Sequence, residues 1–190
     1  MRHGLALSLA SVALLGVAAC SEPAAPPAVT AAVPPVQFRP TATIQDLMDA
    51  EVDPAADYLW GTVAYIATKA GIEDRRPKTD MDWELARRNA LILIEASNLL
   101  LIDGRKVAKA GNALDEEELA SEAPEDIQKA IDANRPAFNA YAMGLHDASV
   151  EALAAIEAKD VERLLASGEA LDVACEQCHR TYWYPKAPPI

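Results

Sequence analysis

The sequence predicts an all-α fold, an antiparallel four-helix bundle, on three observations. Alanine, the best helix former, supplies 39 of 190 residues. Glycine supplies only 8, too few for a turn-dense β fold. From Ile44 onward, apolar residues recur at steps of three and four. A composition of 51% hydrophobic and 24% charged residues suits one ordinary domain with a tail. The formal net charge of −12 argues against nucleic acid, whose affinity rests on Lys and Arg against phosphates, and against a polybasic membrane surface. Three cysteines are too few for a disulfide scaffold.

Residues 1–19 read as an address. Arg2 is a short positive region, residues 5–18 are apolar and uncharged, and Val17-Ala18-Ala19 leads to Cys20. The apolar stretch is short for a membrane span. It resembles a bacterial lipoprotein signal peptide, which implies cleavage before Cys20 and a lipid on that cysteine. An ordinary secretory signal with an incidental Cys20 stays open. Cleavage removes one charge, Arg2, taking −12 to −13. Ser21, not an acidic residue, follows the cysteine. The resemblance then implies the outer membrane of a Gram-negative bacterium, with the domain facing the periplasm.

Residues 20–41 form a tether. Pro23, Pro26, Pro27, Pro34, Pro35 and Pro40 stand among alanines and valines, an extended composition spanning about 3.1 Å per residue. The domain is expected over residues 42–185. Its first helical stretch carries Ile44, Met48, Val52, Ala55, Leu59, Val63 and Ile66. Asp53-Pro54 inside it reads as a kink, or as a cap followed by a first-turn proline. The second starts near Asp80, with Trp83, Ala86, Ala90, Leu93 and Leu100 on one face, widened by Ile92, Ala96 and Leu99, and stops at Asp103-Gly104. The third follows Pro124 and Glu125 with Ile127, Ile131, Phe138, Tyr141, Leu145, Ala148 and Ala152, bent at Pro136. The fourth follows Asp160 with Val161, Leu164, Gly168, Leu171, Cys175, Cys178 and Tyr182. Four such helices make a bundle the default. Residues 104–123 are a long link, with a short helical turn expected at residues 115–119.

One motif carries chemistry. Cys175-Glu176-Gln177-Cys178-His179 is C-x-x-C-H, the attachment signature of c-type haem. Residues three apart on a helix lie about 60° apart around its axis, one turn up. Two thiols so placed reach two vinyl groups of one porphyrin, and the next residue offers an imidazole to the iron. A thioredoxin-type redox pair would open a helix beside a βαβ pattern, and no strands are visible in the sequence. A zinc site needs more ligands than this pair, while His3 lies in the signal and His146 in the third helix. A disulfide across three helical residues has poor geometry.

Eleven residues follow His179, none of them methionine, so a fold with an early haem motif and a late methionine ligand does not apply. The chain resembles class II cytochromes c, the cytochrome c prime family, over about residues 41–185. The resemblance rests on Cys175, Cys178 and His179 near the C-terminus, Tyr182 three residues on, and the count and order of helices. It implies one covalent haem c, a four-helix bundle, and a homodimer through faces of the first two helices. The ending Tyr182-Trp183-Tyr184-Pro185 lacks the basic residue that often follows the tyrosine, and Asp53-Pro54 is also unusual. Both mark a divergent branch.

The second iron ligand follows from levels along the bundle. His179 lies near the end of the fourth helix, level with the starts of the first and third and the end of the second. Met48 is on the first helix at that level; Met81 is at the wrong end of the second, and Met143 lies on the order of 28 Å into the third at about 1.5 Å per residue. A first-helix methionine is also the ligand in low-spin members of the family. Met48 as plain core packing is the other reading. The same level nominates Leu47, Val52, Leu99, Ile102, Ile127 and Ile131 as pocket residues, with Tyr182 and Trp183 over a haem edge and Arg180 near a propionate or solvated.

A His/Met-ligated low-spin iron implies single-electron transfer, with an acidic surface suited to a basic redox partner protein. A five-coordinate iron binding nitric oxide or carbon monoxide is the alternative, and a haem-free structural lipoprotein the third. The remaining titratable residues form no catalytic set, so no enzyme is expected.

Overall fold

The computed structural model describes residues 37–112 and 121–185. The expected signal peptide, Cys20, most of the tether and the turn at residues 115–119 lie outside the described residues. A compact unit begins at Phe38. It is mostly helical, with one small sheet. Helix α1 (Ile44–Leu47) runs through a π-helical turn (Met48–Val52) into α2 (Asp53–Thr62). A hairpin of β1 (Ala64–Thr68) and β2 (Gly71–Arg75) follows. Then come α3 (Asp80–Leu100), α4 (Pro124–Ala133), α5 (Arg135–Glu157) and α6 (Val161–Tyr182). Among the described residues, no helix is long and apolar enough to cross a membrane.

The helix starts follow from capping chemistry. Thr43 accepts from the Asp46 amide, and Asp46 returns a bond to the Thr43 amide; Thr79 and Asp82 repeat this at α3. Asp160 accepts from the Arg163 amide at α6. The Ile44 and Gln45 amides donate to the carbonyls of Lys106 and Val107, so the link after α3 closes the start of α1. Gly104, at φ +79°, turns the chain out of α3 as Asp103-Gly104 foretells.

Three departures from the sequence reading have physical causes. First, Asp53-Pro54 neither breaks nor caps the first helix. Pro54 has no N–H and its ring crowds the preceding carbonyls. The chain meets this by widening one turn: the Asp53 amide donates to the Met48 carbonyl, five residues back, and α2 continues beyond. Second, the helix ends at Thr62, and Val63 is extended at φ −131°, so Ile66 lies in a strand. Val63, Tyr65, Ile66 and Thr68 favour strand, and Gly71 at φ +125° permits the return, with Ile66 opposite Glu73. Third, the expected third helix is two. Asn134, at φ −144° and ψ 62°, interrupts it, caps α5 through the Ala137 amide, and is followed by Pro136 in the first turn of α5.

Packing is pairwise among the long elements: α2 on α3, α3 on α5, α5 on α6 and α6 on α2, with the π turn against α3. The buried side chains form two clusters. One gathers Val52, Ala55, Leu59, Ala90, Leu93, Leu145, Ile156, Leu164 and Leu171. The other gathers Ile44, Leu47, Leu100, Val107, Ile127, Ile131, Phe138 and Tyr182. Met48 packs against both.

Candidate functional site

A small apolar cleft opens at the seam between the two clusters. It is lined by Ile44, Met48, Val52 and Asp53 from the first helical rod, Leu100 from α3, Phe138, Tyr141, Ala142 and Leu145 from α5, and Ala174, Cys175, Cys178, His179 and Trp183 from the end of α6. The space it encloses is about 30 Å³. The wide turn matters locally. It re-phases the helix so that Met48, Val52 and Asp53 all reach one wall.

Cys175 and Cys178 are free thiols, both half-buried. Burial, with the charge of Asp53 behind it, pushes the Cys175 thiol up to about 11. Burial, with Cys175 beside it, pushes Cys178 up to about 12. Both are therefore neutral thiols at ordinary pH, unlike the low-pKa thiolate of a disulfide oxidoreductase. Burial pulls His179 below its usual value, against the opposing charges of Asp53 and Glu176, and so favours the neutral imidazole that ligates metal. Asp53, exposed on its outer side, is pushed up by burial while the charge on His179 pulls it down. Among the described residues, no group of three or more His, Cys, Asp or Glu side chains is placed to hold a metal ion.

The structure brings Met48, Val52, Cys175, Cys178 and His179 to this cleft. The other nominated pocket residues are not among its lining. Leu47, Ile127 and Ile131 are buried in the second cluster, away from the cleft wall. Leu99 is 40% exposed, and Leu100, one residue and about 100° further round α3, lines the cleft instead. Ile102 lies in the turn after α3, where its carbonyl accepts from Arg135. Tyr182 is buried behind the cleft, edge-on to Phe138 and Tyr141 at 5.6 and 6.0 Å. Trp183 does line the cleft, and Arg180 pairs with Glu176.

Ile44, Asp53, Leu100, Phe138, Tyr141, Ala142, Leu145 and Ala174 were not nominated as pocket residues. Phe138, Tyr141 and Leu145 stood in the apolar stripe of the third stretch, where their spacing marked them as core. Two arginines hold the neighbouring chain in place. Arg105, 4% exposed, donates to the carbonyls of Leu99 and Ala42, and Arg135 donates to those of Leu100 and Ile102. They add donors to carbonyls at and just after the end of α3, and Arg105 ties that end to Ala42 ahead of α1. A larger shallow groove of about 850 Å³ runs between α5 and α6, but none of Cys175, Cys178 and His179 lines it.

Comparison of the chain with models of protein families, with curated proteins and with solved structures finds no match.

Proposed function

We propose that the chain is a periplasm-facing, lipid-anchored c-type cytochrome that carries single electrons. One observation carries the reading: two neutral thiols, the following imidazole and a thioether from a different helix meet at one apolar cleft. Cys175 and Cys178 would hold the haem through thioether bonds, and His179 and Met48 would supply ligands to its iron. Haem supplies the redox centre when bound, an iron that takes up and gives back one electron. The protein's own part is to exclude water, fix the imidazole and present the Met48 sulfur. Val52, Leu100, Phe138 and Leu145 give that enclosure its apolar walls.

The donor set fits this group by chemistry. The enclosed volume is well below the ~300–1,000 Å³ of ordinary ligand pockets. Taking up a macrocycle would therefore need the cleft walls to widen. The pairwise packing of α2, α3, α5 and α6 supports a four-helix bundle of the cytochrome c prime type, with α4 as an added element. Cys20 would carry the lipid, the tether would hold the domain off the outer membrane, and the acidic surface would meet a basic redox partner.

The test is the full chain exported with haem maturation. Covalent haem in the mass, low-spin spectra in both oxidation states, and conversion to high spin by Met48→Ala are expected. A mass equal to the unmodified polypeptide refutes the reading. A high-spin wild type whose spectrum Met48→Ala leaves unchanged removes electron transfer and favours binding of a diatomic gas.

A further inference from the structure

The end of α6 does not run out into solvent. The Trp183 and Tyr184 amides both donate to the His179 carbonyl, at 2.7 and 3.0 Å, so the chain turns back over its own last turn. The Trp183 carbonyl accepts from the Glu122 amide at 2.7 Å, tying this strap to the segment that enters α4. The Tyr184 hydroxyl then donates to Glu176 Oε2 at 2.6 Å, while Glu176 Oε1 accepts from Arg180 Nε. The rings of Trp183 and Tyr184 stand 5.8 and 6.0 Å from the His179 imidazole, inclined at 54° and 61°. Two aromatic rings therefore stand beside the imidazole, and a carboxylate inside the C-x-x-C-H motif holds one of them.

Both partners keep the protonation state the bond needs. The Tyr184 hydrogen bond, followed by Arg180, holds the Glu176 carboxyl below its usual range. Burial and the bond to Glu176 push the Tyr184 phenol up, so it stays a donor. A hydrogen bond to an ionised acceptor is among the stronger ones. The groups that surround a ligating histidine fix its ring orientation and its access to water, and both tune the metal it holds.

Resting on the cytochrome reading above, we propose that Glu176 and Tyr184 are positioning residues for His179: their bond latches the C-terminal strap, which fixes the imidazole and keeps water from it. Tyr184→Phe keeps the ring and removes the donor. Glu176→Ala removes the acceptor, and Glu176→Gln restores an acceptor oxygen.

The experiment uses the exported full chain and two readouts. Amide exchange of Trp183 and Tyr184 should quicken about tenfold or more in Tyr184→Phe and Glu176→Ala, stay near wild type in Glu176→Gln, and be no faster in the Tyr184→Phe/Glu176→Ala double variant than in either single one. The midpoint potential should fall in Tyr184→Phe, because water and a released carboxylate both favour the ferric state, and should not fall in Glu176→Gln, where the strap stays latched and the negative charge is gone; Glu176→Ala reports through exchange alone, since losing the carboxylate charge opposes the effect of water. Wild-type exchange in Tyr184→Phe overturns the latch. Faster exchange with an unchanged potential overturns the positioning role and leaves only a structural tie. Absence of covalent haem from the wild-type chain overturns the function itself, and it is seen before any variant is compared.

Discussion

Gly168 and Trp60 form a close contact between α6 and α2, and substituting that glycine tests how tightly the two are locked. The Trp60 indole donates to the Gly168 carbonyl at 3.0 Å. A methyl group on residue 168 would stand 3.2 Å from Trp60 Cδ1 and 3.6 Å from Nε1. In an open helix, Gly→Ala gains roughly 1 kcal/mol. Here the ring must yield, at about 1 kcal/mol for a single tight contact at the low end of overpacking costs. If it yields, its hydrogen bond goes too, at about 1 kcal/mol more. The balance is a loss of about 1 kcal/mol. With Trp60→Ala in place, clash and bond are both gone, and Gly168→Ala should gain about 1 kcal/mol instead. The two sites then couple by about 2 kcal/mol. Urea unfolding of the four chains measures this through midpoints at constant slope. Additive effects, or a stabilising Gly168→Ala in the wild-type background, refute the lock. The outcome bears on the site, since α2 carries Asp53 and Cys175 lies seven residues beyond Gly168 on α6.

Three further outcomes follow from the geometry. Bonds from Lys109 first, and then from Thr43, lower the Asp46 carboxyl from 3.8 to about 2. Its contribution to stability is full above 3.8 and disappears as the pH falls towards 2. Thermal midpoints of Asp46→Asn against wild type should therefore differ at neutral pH and converge across that window. Arg105→Met keeps the stem but leaves the Ala42 carbonyl without its donor, while the Leu99 carbonyl keeps the Ile102 amide, so it should cost about 1–3 kcal/mol in urea unfolding. Leu99→Gln should change stability by less than about 0.5 kcal/mol and leave the spectrum of the proposed haem alone, whereas Leu100→Ala should cost about 2–5 kcal/mol and disturb that spectrum.

The level of the site along the helices was legible in the sequence; its azimuth was not. Counting turns back from His179 points to Met48, which lines the same cleft, because rise per residue is nearly constant. Choosing between Leu99 and Leu100 required knowing which way α3 faces. The narrow stripe through Trp83, Ala86, Ala90 and Leu93 pointed to Leu100, and Leu99 belonged to its flank. The helix starts at Asp80 and Asp160 were legible because capping is local. The hairpin was not, because Val63 and Ile66 continue the three-four spacing of the preceding helix and so satisfy two periods at once. The break at Asn134 was masked in the same way, by an apolar stripe that runs on from Ile131 to Phe138. Arg105 left no periodic mark at all, since what it satisfies is backbone carbonyl groups.

The seam itself suggests why a covalent cofactor suits this chain. Met48 packs against both buried clusters, and the wide turn that carries it gives up backbone regularity to reach the cleft. A noncovalent ligand would have to part the walls of a 30 Å³ space and hold them apart by its own contacts. A group bonded to α6 through Cys175 and Cys178 does not leave when the walls breathe. Its binding energy is then available to join the clusters, and the proposed ligation by Met48 would tie the first helix to the fourth across the seam. On that reasoning the loaded protein unfolds as one unit. The chain without the proposed haem should separate into two transitions, with the residues around Ile44, Phe138 and Tyr182 parting from those around Leu93, Leu145 and Leu171.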